Sequence, residues 1–203
     1  MNIFRSKSFI AACACAGFAV LLFAFNDATA FCVTPPVSKQ GARPRTTFRY
    51  RVVGYQPTGA EACVDRAFAA WNDALVDGSN IQFIPAGSKE KIDVTIFFTD
   101  IKGDVAGEEI AGGTTPAFRD AEGYVTGFGI MISTNPALVS SCDGYYKVTL
   151  HEIGHGLGLG HPYGINGTSV MNMLSSTNDE GGNVAEFPTA CDIGQIESAT
   201  TYR

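Results

Sequence analysis

All three histidines of this chain lie in one stretch of eleven residues, HEIGHGLGLGH, which runs from His151 to His161. Apolar residues at helical spacing, Leu150 and Ile153 among them, predict a helix with one face on the core. On such a helix His151 and His155 stand one turn apart, so their imidazoles leave the same face. Any fold of this chain must therefore bury one side of this helix and leave the imidazole pair room on the other.

Gly158 gives this helix a place to end, because glycine adopts a left-handed backbone at low steric cost. The turn would bring His161 back toward His151 and His155. Three imidazoles in this arrangement are a ligand set for one Zn²⁺, with a fourth position left for water. An open position is typical of a catalytic zinc site rather than a structural one.

Glu152 follows the first histidine and lies about 100° further round the helix. From there it reaches a water molecule on the metal more easily than the metal itself. Zinc acidifies such a water and polarises a scissile carbonyl, while a neighbouring carboxylate moves the proton from the water to the leaving amine. A closed structural site would not need this carboxylate. The stretch therefore predicts zinc-dependent amide hydrolysis with Glu152 as the catalytic residue.

Residues 1–30 have the pattern of a secretory signal peptide: a charged start, an apolar run over 10–25, and an A-x-A site that ends at Ala30. The run is shorter than the roughly 20 residues of a membrane-spanning helix. A lipoprotein signal at residues 10–13 would leave almost no apolar region before its cysteine. We therefore expect a secreted protein, periplasmic in a Gram-negative bacterium, without a stable membrane anchor.

After the signal peptide, we expect an irregular proline-containing arm or short pro-segment at 31–46, followed by one catalytic domain at 47–203. The net charge of −6 argues against nucleic acid or an anionic membrane as a partner. We expect the protein to be a monomer.

The hydrophobic pattern predicts an α/β (α+β) domain with one mixed sheet, and residues 99–123 read as loop with one short strand. The predicted strands are 48–52, 81–84, 92–98 and 125–132, and the predicted helices are 60–76, 145–157 and 189–201.

An even number of cysteines follows the predicted signal peptide, which in an exported protein indicates two disulfides. No pair has C-x-x-C spacing, so neither a cysteine zinc site nor a redox motif is predicted. Three connectivities are possible, and the spacing alone does not choose among them. These cysteines are Cys32, Cys63, Cys142 and Cys191.

The pattern H-E-x-x-H-x-x-G-x-x-H resembles the signature of the metzincin zinc peptidases. This family also has a methionine turn downstream, whose methionine packs beneath the zinc, and Ser169-Val170-Met171 fits that turn. The resemblance implies a zincin fold with a twisted mixed sheet, two main helices and a C-terminal helix. The residues that match the signature are His151, Glu152, His155, Gly158 and His161.

The chain is most similar to the matrixins, over about residues 46–201. Met173 stands where astacins and serralysins have a tyrosine, which argues against both. Matrixins often hold a second, structural zinc on histidines, but no histidine remains here, so a single zinc is expected. Calcium is conceivable at acidic loop residues without an EF-hand pattern, although a solvated loop is the simpler interpretation. Those residues are Asp104, Glu108, Asp120 and Glu122.

The resemblance also suggests the disulfides and the mode of substrate binding. In matrixins two adjacent aspartates open the last helix and the first can hold the N-terminus, whereas this chain has Cys191-Asp192. A Cys32–Cys191 bond could anchor the arm there, which leaves Cys63–Cys142 as the second bond. A protein or peptide substrate would lie extended along an edge strand near 113–120. The alternative is a secreted binding protein with the same fold and little turnover, against which the intact Glu152 argues.

Overall fold

The computed structural model describes residues 41–43, 46–101, 104–105, 108–109, 111–161, 168–172 and 185–201. The predicted signal peptide, most of the predicted arm, Cys32 and Met173 lie outside these ranges. No helix among the described residues has the length and apolar character needed to cross a membrane.

A mixed sheet forms the centre of the described structure, with strand order β2-β1-β3-β8-β6. The first four strands of this order run parallel, and β6 pairs antiparallel to β8. β7 also pairs with β8, while β4 and β5 form a separate hairpin. The strands are β1 (Thr47–Val52), β2 (Gln82–Pro85), β3 (Val94–Thr99), β4 (Asp104–Val105), β5 (Glu108–Glu109), β6 (Gly112–Thr114), β7 (Phe118–Arg119) and β8 (Val125–Ser133).

Three helices accompany this sheet: α1 (Ala60–Leu75), α2 (Cys142–Gly156) and α3 (Ala190–Thr201). α1 and α2 pack against each other, and α2 also packs on β6 and β8. Alternate residues of the strands are buried, as at Val94, Ile96 and Ile130, so one face of the sheet supplies the core. This packing places the helix with the histidines directly beside the edge strand β6.

The predicted mixed α/β fold is confirmed, with two differences in detail. α2 begins at Cys142 rather than near residue 145, because the Ser141 hydroxyl accepts a hydrogen bond from the Gly144 amide at 3.1 Å and caps the helix. The region 99–123 contains four short strands instead of one. Strands of two or three residues are too short to show an alternating hydrophobic pattern.

A disulfide joins Cys63, in the first turn of α1, to Cys142, the first residue of α2, with 5.4 Å between the Cα atoms. It therefore fixes the start of the histidine-bearing helix to its neighbour. Cys191 is also disulfide-bonded. Cys32 lies outside the described residues, so its pairing with Cys191 stays a prediction.

The end of the predicted arm is tied to the loop before β8. Ala42 is fully buried and forms a parallel bridge with Val125. Arg43 forms ion pairs of 2.9 Å with both Asp120 and Glu122. Two of the four acids considered for calcium thus already face a guanidinium group.

Candidate metal centre

The three histidine side chains converge at one end of α2. The Nε2 atom of His161 lies 3.0 Å from Nε2 of His151 and 3.1 Å from Nε2 of His155. His151 is buried, His155 is half-buried and His161 is exposed, so the group lies at the surface with one side open. Among the described residues, this is the cluster that could hold a metal ion.

The turn at Gly158 brings His161 to this position. Gly158 has a φ of 101°, a value that favours glycine over every residue with a side chain. The amide of Gly158 donates to the carbonyl of His155, and the amide of Leu159 donates to that of Gly154, both at 2.9 Å. These two bonds form a Schellman motif, which ends the helix and reverses the chain.

Backbone carbonyls fix the tautomers of the two helical histidines. Nδ1 of His151 donates to the carbonyl of Val170 at 2.8 Å, and Nδ1 of His155 donates to that of Leu159 at 2.9 Å. A carbonyl only accepts, so the proton of each neutral ring is on Nδ1 and the lone pair is on Nε2. Such second hydrogen bonds are how proteins orient metal-binding histidines.

The three donor nitrogens lie within 4.8 Å of one another, and two of their three spacings are close to those around a tetrahedral zinc ion. Two nitrogens each about 2.1 Å from tetrahedral zinc stand about 3.4 Å apart, close to the spacings of 3.0 and 3.1 Å found here. The lone pairs of His151 and His155 both point at His161, whose Nε2 carries at most one proton when neutral. One proton cannot lie along both contacts, so at least one of the two lone pairs meets no proton, an arrangement that a bound cation stabilises.

All three imidazoles are held in the neutral form that binds metal. Burial above all, with the neighbouring histidines, lowers the pKa of His151 to about 3, and the hydrogen bond to the Val170 carbonyl opposes them. Burial also lowers the pKa of both His155 and His161. Protons therefore compete weakly for these nitrogens at neutral pH, which favours metal binding.

Glu152 is 5% exposed and extends from α2 toward the edge strand β6. Its Oε2 accepts a hydrogen bond of 2.7 Å from the hydroxyl of Thr114. Burial raises the pKa of Glu152 to about 7, and the bond from Thr114 partly opposes this. A carboxyl group with this pKa can both take up and release a proton near neutral pH.

The turn at Ser169 to Met171, after the third histidine, packs against α2 beneath the ligands. Met171 is fully buried and packs against Gly154 of α2. The carboxylate of Asp192, in the first turn of α3, accepts from the Ser169 hydroxyl at 2.5 Å and from the Thr189 amide at 2.8 Å. The last helix thus holds the methionine turn in place, and Val170 of this turn orients His151.

The structure brings together the residues singled out from the sequence: three histidines, Glu152, the glycine of the turn and Met171. The sequence reasoning missed Thr114 and the carbonyls of Leu159 and Val170. Every residue has a carbonyl, so no sequence signal identifies those two. Thr114 lies in a glycine-rich stretch, and only its pairing in the sheet brings it to Glu152.

Comparison with known proteins agrees with this geometry. The model of the matrixin family, a family of peptidases, matches residues 43–186. Among curated proteins, none matches this chain. One similar solved structure is that of myroilysin, with a TM-score of 0.51 and 13% identity, covering 83% of this chain and 98% of that one. It supports the fold.

Another is high choriolytic enzyme 1, a hatching-enzyme zinc protease from the medaka fish Oryzias latipes. It has a TM-score of 0.44 and 14% identity, and the match covers 86% of this chain and 97% of that one. The family model spans well over half of the chain and includes all three histidines and Glu152. The chain therefore belongs to the matrixin family and is a zinc metallopeptidase.

Proposed function

We propose that this protein is an exported endopeptidase in which His151, His155 and His161 hold one zinc and Glu152 is the general base. The observation that carries the proposal is the convergence of three Nε2 atoms, with the Nδ1 atoms of the two helical rings bound to carbonyls. A structural zinc site would use a fourth protein ligand. Among the described residues, the ligand cluster consists of these three histidines.

The bound zinc would supply a Lewis acid that acidifies a water molecule and polarises the scissile carbonyl. Glu152 would take the proton from the attacking water and give it to the leaving amine. Its burial supports this role, because a pKa raised to about 7 makes the carboxylate a stronger proton acceptor than an ordinary glutamate.

The outer edge of β6 fits an extended peptide. The amide of Ser133 donates to the carbonyl of Ala111, and the amide of Thr115 donates to that of Gly129, so these alternate residues face β8. In an antiparallel pair the residues between them direct their main-chain groups to the other side. Gly112 and Thr114 thus offer amides and carbonyls outward, where a substrate strand would pair.

Export is supported by the pattern of residues 1–30 and by the Cys63–Cys142 bond, because disulfides persist in oxidising compartments. Fractionation of producing cells, with mass spectrometry of the N-terminus, would test it. We expect the protein outside the cytoplasm with a chain that begins at Phe31. Intact protein retained in the cytoplasm would contradict export.

The activity is tested on the exported protein by zinc content and by cleavage of a mixed quenched-peptide library. We expect one zinc per chain, and cleavage that Glu152→Ala abolishes while zinc is kept. Glu61→Ala, which changes an exposed glutamate of α1, serves as the matched control and should cleave normally. Zinc without cleavage by the wild type would favour a binding protein, and absence of zinc would overturn the assignment of the ligands.

A further inference from the structure

We propose that Thr114 is a positioning residue that holds the carboxylate of Glu152 in its working orientation, in a socket that Gly112 leaves open. The term socket denotes the inner face of β6 at Gly112 and Thr114. The proposal rests on the proposed role of Glu152 as general base. It adds two residues that the zinc-binding motif does not contain.

The pairing of β6 with β8 shows which way these residues face. Gly112 lies opposite Ile132, and Thr114 lies opposite Ile130. Directly opposed residues of an antiparallel pair are on the same face of the sheet. Both isoleucines are fully buried, so Gly112 and Thr114 also face inward, toward α2. The residue between them, Gly113, faces the other side.

The Thr114 hydroxyl contacts Glu152 at two oxygens, which share its single proton. Its Oγ1 atom lies 2.7 Å from Oε2 of the carboxylate and 2.8 Å from the main-chain carbonyl oxygen of the same residue. The hydroxyl therefore fixes the end of the side chain relative to its own backbone. A glutamate has several rotatable bonds, so a contact at its far end in a buried site restricts the orientations that it can adopt.

Gly112 provides the space that this orientation needs. A Cβ atom at residue 112 would lie 3.1 Å from Oε1 and 3.2 Å from Cγ of Glu152, and it would overlap Val148. A Cβ atom at Gly113 would meet only the end of the flexible Met131 side chain, at 3.4 Å. Alanine at 112 should therefore displace Glu152, whereas alanine at 113 should leave it in place.

The socket connects substrate binding to proton transfer. Thr114 offers its main-chain groups to the outer edge, where the peptide would pair, and its side chain to Glu152. One residue of β6 would thus set the positions of both the peptide backbone and the general base. Reactive groups that are misplaced by about 1 Å can lose about 100-fold in rate.

The test compares wild type, Thr114→Val and Thr114→Ser in the exported protein, with kcat and KM measured on one cleaved peptide. Valine keeps the shape of threonine but removes the hydroxyl, whereas serine keeps the hydroxyl. We expect valine to lower kcat about 10- to 100-fold with little change in KM or zinc content. Serine should restore kcat to within about threefold of the wild type.

Gly112→Ala and Gly113→Ala form a second, independent pair. We expect alanine at 112 to lower kcat much more than alanine at 113 does. This pair also decides the matter if Thr114→Val does not fold. Equal kcat in Thr114→Val and wild type, or equal losses in both members of either pair, would overturn the socket while leaving the peptidase intact. A wild type that holds zinc but cleaves no peptide would instead refute the proposed function.

Discussion

The indole N–H of Trp71 donates a hydrogen bond of 2.9 Å to the carbonyl of Leu150, the residue that precedes His151. Trp71 is fully buried on α1 and also approaches Gly154 of α2. α1 thus holds α2, the helix that carries the imidazoles, at the residue just before the first ligand. The disulfide holds the same two helices at their other ends.

Trp71→Phe should weaken this contact. Loss of the hydrogen bond and of part of the buried ring should lower the free energy of unfolding by about 2 kcal/mol, while zinc is retained. Urea unfolding followed by circular dichroism measures the change. Tyr55→Phe, at an aromatic residue that is 71% exposed, serves as control and should leave stability unchanged. An effect no larger than that of the control would mean that the indole contributes no net stability.

The Cys63–Cys142 bond should be a large contributor to stability. It closes a loop with a sequence separation of 79 residues, for which the chain-entropy estimate is about 4.5 kcal/mol. We expect the double variant Cys63→Ser, Cys142→Ser to unfold at much lower urea. When both proteins are measured under reducing conditions, which also open the disulfide of Cys191, the difference between them should largely disappear. A variant as stable as the oxidised wild type would contradict the expectation.

The pKa of Glu152 makes a pH-dependent contribution to the stability of the metal-free protein. Burial raises it from 4.5 to about 7, so the folded state holds the proton more tightly than the unfolded chain. This stabilisation is fully present below pH 4.5 and is lost as the pH rises through about 7.

Glutamine at residue 152 does not titrate, so the Glu152→Gln variant isolates this contribution. From acidic to neutral pH, the free energy of unfolding of this variant should rise by about 3 kcal/mol relative to that of the wild type. Urea unfolding in the presence of a chelator measures both proteins, and the contributions of the histidines cancel in the difference. A difference that stays constant with pH would show that Glu152 is not buried as the structure has it.

Gly158→Ala should reduce zinc affinity. The φ of 101° is unfavourable for alanine, so the turn would relax and move His161 away from the other two ligands. We expect affinity to fall at least about tenfold, measured by competition with a zinc chelator. Gly194→Ala in α3, where a Cβ meets nothing within 4 Å and φ is ordinary, should bind zinc as the wild type does.

The parts of the centre that the sequence predicted are those within one helix and its terminal turn. His151, His155 and Glu152 are related by helical geometry alone, and Gly158 marks the turn to His161. The longer strands and helices were predictable for the same reason, because their hydrophobic periods are local.

The contacts that complete the centre depend on long-range packing. Thr114 and Glu152 are 38 positions apart and meet only because β6 pairs with β8 beside α2. Asp192 reaches Ser169 through the docking of the last helix. Neither relationship produces a period or a spacing in the sequence. The short strands between 104 and 119 escaped prediction because each has at most three residues.

The meeting of His151, His155 and His161 uses every imidazole in the protein. An imidazole proton resonance, or the visible absorption of a cobalt ion bound to these nitrogens, therefore originates at this centre and nowhere else in the chain. In a protein with histidines elsewhere, such signals would have to be separated from those of the other imidazoles. Here the imidazole resonances of the native protein report on this centre directly, and its state can be followed without an introduced probe.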